Sequence, residues 1–252
     1  MHRYFEVNQA GHNIRCKLYY QDLKNISKVV VFCHGFGSEK DTGSAEKLAQ
    51  RLLSKYKGFA LVTFNWPCHG DDVKKKLNLE DCSTYLELVV NYIQEKYQPQ
   101  ALFCYAVSFG GYQTLRYLSQ KGSPFRRIVL RCPAVNMYDA LTQVLMTPSQ
   151  LEQIALGRDV SVGFDKLIPI SPAFLEQLRE NDVRKMDFLD WAEDLLIIQG
   201  TKDDTIPYEE VHAFAENQLI EFLPVEGADH RFRAPGTMEI VLKVISEFFT
   251  QA

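Results

Sequence analysis

A serine hydroxyl becomes a useful nucleophile only when a base takes its proton, and an imidazole base works best when an acid orients it and stabilises its charged form. The sequence offers one serine in a setting built for that chemistry. Ser108 lies in Ala106-Val107-Ser108-Phe109-Gly110-Gly111, after the apolar run 101–107 and before a helical segment, Gly111 to Leu118. A small-x-Ser-x-Gly turn between strand and helix is a nucleophile elbow. Such a turn forces the serine backbone into a strained conformation, and small neighbours two residues to either side leave room for it. The hydroxyl is then held out at the top of the sheet, and the start of the next helix offers amide donors. The bare pattern is expected by chance in about one such chain in five. Its place between a buried strand and a helix is what gives it weight. Ala106 stands where glycine is commoner, one methyl larger.

Six histidines are available as the base. His2 and His12 belong to an N-terminal hairpin, and His212 sits inside a helical stretch. His34 and His69 follow the first two apolar runs, where His34 reads as a loop-tying residue. His230, in Gly227-Ala228-Asp229-His230 after the last run, is the best base, because loops at the carboxyl ends of strands face the ligand site of an α/β sheet. The orienting acid comes from Gln199-Gly200-Thr201-Lys202-Asp203-Asp204-Thr205-Ile206-Pro207. Asp203 is chosen over Asp204, which is expected to be solvated or to cap the helix that starts near Pro207.

Among the elements that must position these residues, residues 4–20 alternate around Gln9-Ala10-Gly11-His12, a hairpin signal. Then come runs that are apolar at every position: 29–33, 60–64, 101–107, 128–130, 195–198, and a shorter one at 220–225 broken by Pro224. Continuous runs suit strands buried on both faces, as in a parallel sheet covered by helices. Helical spacing links Ala45, Leu48, Ala49, Leu52 and Tyr56; Leu86, Val89, Val90, Ile93 and Tyr97, with Asp81 or Ser83 as N-cap; and Met238 through Phe249. Strand alternating with helix predicts an α/β fold with a mostly parallel central sheet flanked by helices. After the strand at about 127–131 the rhythm breaks, and about 50 residues, 135–188, form an insertion with Pro148, Pro169 and Pro172. Long insertions in compact folds are usually functional, and this one leaves from the ligand-binding edge, so it is read as a lid or cap on one domain spanning 1–252.

The chain order Ser, Asp, His and the motifs His34-Gly35-Phe36-Gly37, Ala106–Gly111, Gly200–Pro207 and Gly227–His230 resemble the α/β-hydrolase fold family, and Phe64-Asn65-Trp66-Pro67-Cys68-His69-Gly70 resembles its loop after the second parallel strand. Within that family the chain is most similar to small intracellular carboxylesterases of the cinnamoyl (feruloyl) type, with Val107 and Phe109 in place of more polar serine neighbours. The resemblance implies an oxyanion hole made by the main-chain N–H groups of Phe109, directly after the serine, and Phe36, in the loop after the first core strand. It also implies a pocket with Trp66, Phe36 and Phe109 and the insertion residues Tyr138 and Phe164 as aromatic walls, each of which has a plain core reading as an alternative. Asp139, early in the insertion, is expected either to meet a phenolic hydroxyl, as lid acids do in similar cinnamoyl esterases, or to be a surface aspartate.

Composition narrows the classes. Hydrophobic residues are 46% and charged residues 24%, with a net charge of −4. These are ordinary globular values without the basic footprint of a nucleic-acid binder. No apolar run reaches the 18 or so residues of a membrane span, and no signal peptide is visible. The six cysteines form no C-x-x-C pair, so free thiols in a cytoplasmic setting are expected. The resulting expectation is a carboxylesterase acting on small aromatic or short-to-medium acyl esters through an acyl-enzyme on Ser108, with no cofactor, no metal and no membrane or nucleic-acid partner. A homodimer is left open. A peptidase or thioesterase would use the same three residues, and a non-catalytic ligand-binding protein is the alternative of another class.

Overall fold

The computed structural model describes residues 1–163 and 166–251. A two-residue turn joins β1 (His2–Gln9) to β2 (His12–Tyr20), with Gln9 opposite His12. Ala10 and Gly11 both take positive φ, 51° and 75°. That mirror-image turn matches the twist of the strands it connects. The apolar runs become β3 (Lys28–Cys33), β4 (Phe59–Phe64), β5 (Ala101–Val107) and β6 (Arg127–Arg131). The insertion carries a small antiparallel sheet of its own, β7 (Val160–Val162) with β8 (Ile168–Ile170). The main sheet resumes with β9 (Leu195–Gly200) and β10 (Glu221–Val225).

The eight-stranded sheet runs β1-β2-β4-β3-β5-β6-β9-β10. All neighbours from β4 to β10 are parallel, and β2 joins them antiparallel through β4. The hairpin therefore extends the sheet instead of standing beside it. Pro224 is tolerated because β10 is an edge strand paired only with β9, so its missing N–H breaks no ladder.

Every residue of β4 and of β5 is buried. Alternate side chains go to opposite faces. Val29, Val31 and Cys33 join one core, while Val30 and Phe32 join the other. Three helices follow the first strands: α1 (Gly43–Lys55), α2 (Leu79–Tyr97) and α3 (Phe109–Lys121). The α2 helix starts earlier than the sequence suggested. Its N-cap is Asn78, whose side chain accepts the Asp81 N–H at 2.7 Å. Asp81 thereby sits in the first turn, where a carboxylate complements the helix dipole.

Between β6 and β9 the chain forms α4 (Met137–Asp139), which runs into a π turn at Ala140–Leu145, then α5 (Pro148–Ala155) and α6 (Pro172–Glu180). Pro148 and Pro172 stand at helix starts, where proline is favoured; Pro169 lies in β8. Thr147 builds a reciprocal capping box with Gln150, and Ser171 caps α6. The last helices are α7 (Tyr208–Asn217) and α8 (Thr237–Thr250). Leu48 and Leu52 of α1 and Ile245 and Phe249 of α8 cover one face of the sheet. Leu86 of α2, Leu115 of α3, Leu178 of α6 and Val211 of α7 belong to the core on the other. All six cysteines are free thiols. Among the described residues, no helix is long and apolar enough to cross a membrane.

Phe249 is fully buried and stacks on Phe103 of β5 with ring centroids 4.9 Å apart. Phe249→Ala removes that contact and leaves a cavity against the central strand. The expected loss is about 3–5 kcal/mol of unfolding free energy, read from urea denaturation. A loss below about 1 kcal/mol would mean that α8 does not hold this face of the core.

Candidate active site

Four strand ends meet on one edge of the sheet. Ser108 follows β5, Asp203 follows β9, His230 follows β10, and the loop with Phe36 follows β3. Ser108 has φ 52° and ψ −115°, a conformation that residues with a Cβ rarely adopt. Main-chain hydrogen bonds hold it there. Its N–H donates to Arg131 O at 3.0 Å, and its carbonyl accepts from Tyr112 and Ala134, both at 3.1 Å. The glycines after it are required by close approach. A Cβ on Gly110 would lie 2.2 Å from the Cys33 carbonyl oxygen, and one on Gly111 2.9 Å from Pro133 Cβ. Ala106 is fully buried without disrupting the turn.

Ser108 Oγ lies 3.1 Å from His230 Nε2, and His230 Nδ1 lies 2.9 and 3.1 Å from the two Asp203 oxygens. An ionised carboxylate only accepts, so Nδ1 carries the proton and Nε2 is left as the acceptor for the serine hydroxyl. The Asp203 side chain is wholly buried, and that of His230 is 15% exposed. Asp203 also accepts the N–H groups of Thr205 and Ile206, at 2.9 and 2.8 Å, and the Gln199 amide at 3.0 Å. Burial alone would raise the Asp203 carboxyl. The hydrogen bond and charge of His230, the Ile206 N–H and the Cys132 thiol outweigh it and hold the group below its ordinary value. Asp204 is exposed, and its carboxylate accepts the Thr205 hydroxyl at 3.2 Å.

Beneath the loop after β3 lies a buried polar knot. His34 Nδ1 donates to Gly35 O at 2.9 Å, and its Nε2 accepts the Trp66 main-chain N–H at 3.3 Å. The Trp66 indole donates to His34 O at 2.9 Å. His69 donates from Nδ1 to Pro67 O at 2.8 Å and lies flat on the Phe109 ring at 5.8 Å. Burial is the main reason that the His34 imidazole is held well below its ordinary pKa, with His69 adding to it; burial pushes His69 down to about 4. Above the knot, the N–H groups of Phe36 and Phe109 have no protein acceptor among the described residues.

A cleft of about 350 Å³ opens over Ser108 and His230. Phe36, Val107 and Leu145 supply apolar wall, and Arg131, Thr42 and Thr205 supply polar wall. Leu145 and Gly163 come from the insertion. Several expected pocket residues are elsewhere. Trp66 is fully buried and holds His34, so its ring is a strut below the cleft, not a wall of it. The Phe109 ring is likewise buried, in contact with His69 and Tyr112. Tyr138 lines a separate cleft of about 190 Å³ with Arg184 and Tyr112, and Asp139 is drawn to Arg184 at 3.2 Å. Phe164 lies outside the described residues. Arg131, Thr42 and Thr205 were missed by sequence reasoning; their only signal is position, at strand carboxyl ends or a helix start.

Among the described residues, one group of metal-type ligands clusters, Cys132, Asp203 and His230, within 4.8 Å. Burial keeps the Cys132 thiol well above its ordinary pKa, so it donates to Asp203 as S–H. With Nδ1 and both carboxylate oxygens already satisfied by one another, the trio suits hydrogen bonding better than coordination.

The sequence model of the alpha/beta hydrolase fold family matches residues 28–162. No curated protein is recognisably similar in sequence. Solved structures are similar in shape at low identity. Est1E from Butyrivibrio proteoclasticus, with ferulic acid bound, aligns with a TM-score of 0.79 at 16% identity over 98% of both chains. A putative hydrolase from Agrobacterium vitis S4 aligns at 0.76 and 16%, also over 98% of both. A monoacylglycerol lipase from Paleococcus ferrophilus aligns at 0.65 and 19%, over 93% of this chain and 97% of its own.

The neutral imidazoles of His34 and His69 imply a specific pH response. An unfolded chain protonates both below about 6.5, whereas folded His69 resists down to about 4. In that window the unfolded state binds more protons, so stability falls as pH drops through it. His69 alone accounts for a loss on the order of 3 kcal/mol. Urea midpoints at about pH 7 and about pH 4.5 should differ clearly, and His69→Asn, which keeps a donor for Pro67 O, should shrink the difference while His34 retains its share. An unchanged difference would overturn this account.

Proposed function

Because the chain belongs to the alpha/beta hydrolase fold family, we propose that it is a serine hydrolase that cleaves carboxylic esters through an acyl-enzyme on Ser108. The observation that carries this reading is the unbroken hydrogen-bond chain from Ser108 Oγ through His230 to buried Asp203. His230 Nε2 takes the hydroxyl proton as Oγ attacks the ester carbonyl. Asp203 holds the ring in the right tautomer and stabilises the imidazolium that forms. The tetrahedral oxygen meets the N–H groups of Phe36 and Phe109, donors that no protein group competes for among the described residues. The alcohol departs with the proton from His230. Water then attacks the acyl-enzyme by the same route, His230 again acting as base, and releases the acid.

The cleft volume of about 350 Å³ suits a small aromatic or short-to-medium acyl ester. Ferulic acid bound to Est1E, a protein of the same fold, favours the aromatic option. Phe36 and Leu145 would flank the acyl group.

Ser108→Ala should lower kcat on p-nitrophenyl esters by about 10⁵–10⁶ and abolish labelling by a fluorophosphonate probe. Asp203→Asn should cost about 10⁴ in kcat, because the wrong tautomer is then stabilised. If the wild-type protein, correctly folded, is neither labelled nor active across a panel of esters, the serine-hydrolase reading fails.

A further inference from the structure

Two arginines, Arg131 and Arg231, line the cleft, and Arg131 has no part in that chemistry. Arg131 is the last residue of β6, and its carbonyl accepts the Ser108 N–H, so it is the serine's neighbour on the next strand. The residue is only 5% exposed. A buried guanidinium ordinarily meets a carboxylate or a full set of acceptors. Arg116 shows the usual solution in this protein. At 3% exposure it donates to Leu79 O, Ser83 Oγ, Gln113 Oε1 and Asn181 Oδ1.

Arg131 has nothing comparable. Its Nη1 makes a 3.7 Å contact with Met238 Sδ, its guanidinium carbon lies 5.2 Å from the Phe232 ring centroid, and its Nε is buried without a partner. Among the described residues it forms no ion pair, and no aspartate or glutamate lines the cleft. The start of α1 borders the same space. Thr42, its N-cap, makes no side-chain capping bond, and Thr42 and Ser44 both line the cleft. A helix start and a buried guanidinium with an unpartnered Nε that line one cleft suit an oxyanion.

We propose that the physiological ester bears a second, anionic group, a carboxylate, and that Arg131 receives it as the residue that sets this specificity. This rests on the serine-hydrolase reading for turnover, but the anion site itself does not need turnover. Ester cleavage is neutral to the added charge, so the carboxylate serves only to seat the substrate. Arg131 can offer it two parallel N–H donors, a geometry that lysine cannot reproduce.

The test compares matched esters that differ in one charge: monoethyl succinate with ethyl valerate, and para-acetoxybenzoate with para-acetoxybenzamide. The first pair carries the carboxylate on the acyl side and the second on the alcohol side. For each pair the ratio of kcat/KM in wild type, divided by that in Arg131→Gln, cancels intrinsic reactivity. We expect this quotient to be about tenfold or more for one pair, with Arg131→Lys in between. The side that responds identifies where the carboxylate lies. Quotients within about twofold of unity for both pairs, with esters still turned over, overturn the proposal and leave the serine reading intact. Calorimetric titration of succinate and para-hydroxybenzoate into the Ser108→Ala protein, with and without Arg131→Gln, reads the anion site without catalysis. Binding lost on removing Arg131 supports the proposal even if no ester is cleaved, and absence of binding in both proteins counts against it. If Arg131→Gln fails to fold, the salt response of the wild-type ratio decides: a preference for the charged ester that falls severalfold towards about 0.5 M salt supports it, and a flat response overturns it.

Discussion

The backbone of Ser108 is the constraint around which the cleft is arranged. A φ of 52° with ψ of −115° costs a residue with a Cβ about 1–3 kcal/mol. That conformation persists because its surroundings leave no alternative. Adjacent strands β5 and β6 fix its N–H, α3 and the Pro133-Ala134 turn fix its carbonyl, and Gly110 and Gly111 let the helix close against Cys33 and Pro133. Relaxing the serine would require moving the central strand of the sheet. The strain therefore lends direction: Oγ is aimed at His230, and the N–H of the next residue is left without a protein acceptor among the described residues.

Burial decides the protonation of the groups around it, in two different ways. His34 and His69 are enclosed with hydrogen-bond partners that suit a neutral ring, so they act as fixed struts for the loop that carries Phe36. Asp203 is just as enclosed, yet its donors stabilise the charged form. Burial thus goes with a neutral pair below the loop and an anion beside His230. The difference lies in the number and kind of hydrogen bonds each group receives.

Among the described residues of the insertion between β6 and β9, Leu145 and Gly163 line the cleft, while Tyr138 lines a separate one and Asp139 pairs with Arg184. One wall is therefore set by the insertion and the other by strand ends and the start of α1. The latter wall holds the charge, because Arg131 is anchored through the sheet beside the serine.

Much of this was legible in the chain. Each continuous apolar run became a strand of the central sheet; β3 to β6 and β9 are buried as such runs require, whereas the run broken by Pro224 became the edge strand β10, in which only Val225 is buried. Ser108, Asp203 and His230 could be picked out since each follows such a run, and the three side chains meet. The antiparallel docking of β2 on β4 was not legible because it pairs segments about 40 residues apart, and the α2 start at Asn78 and the three-residue strands β7 and β8 were too short to leave a periodic signal. Nor did residue type reveal that Trp66 braces His34 below the cleft or that, among the described residues, Arg131 lines it with a buried Nε that has no partner. Periodicity records whether a side chain leaves water, and residue order records which strand ends can converge. Which buried group faces a cavity and which faces a neighbour depends on contacts between distant segments, and those exist only once the sheet has closed and its helices have docked.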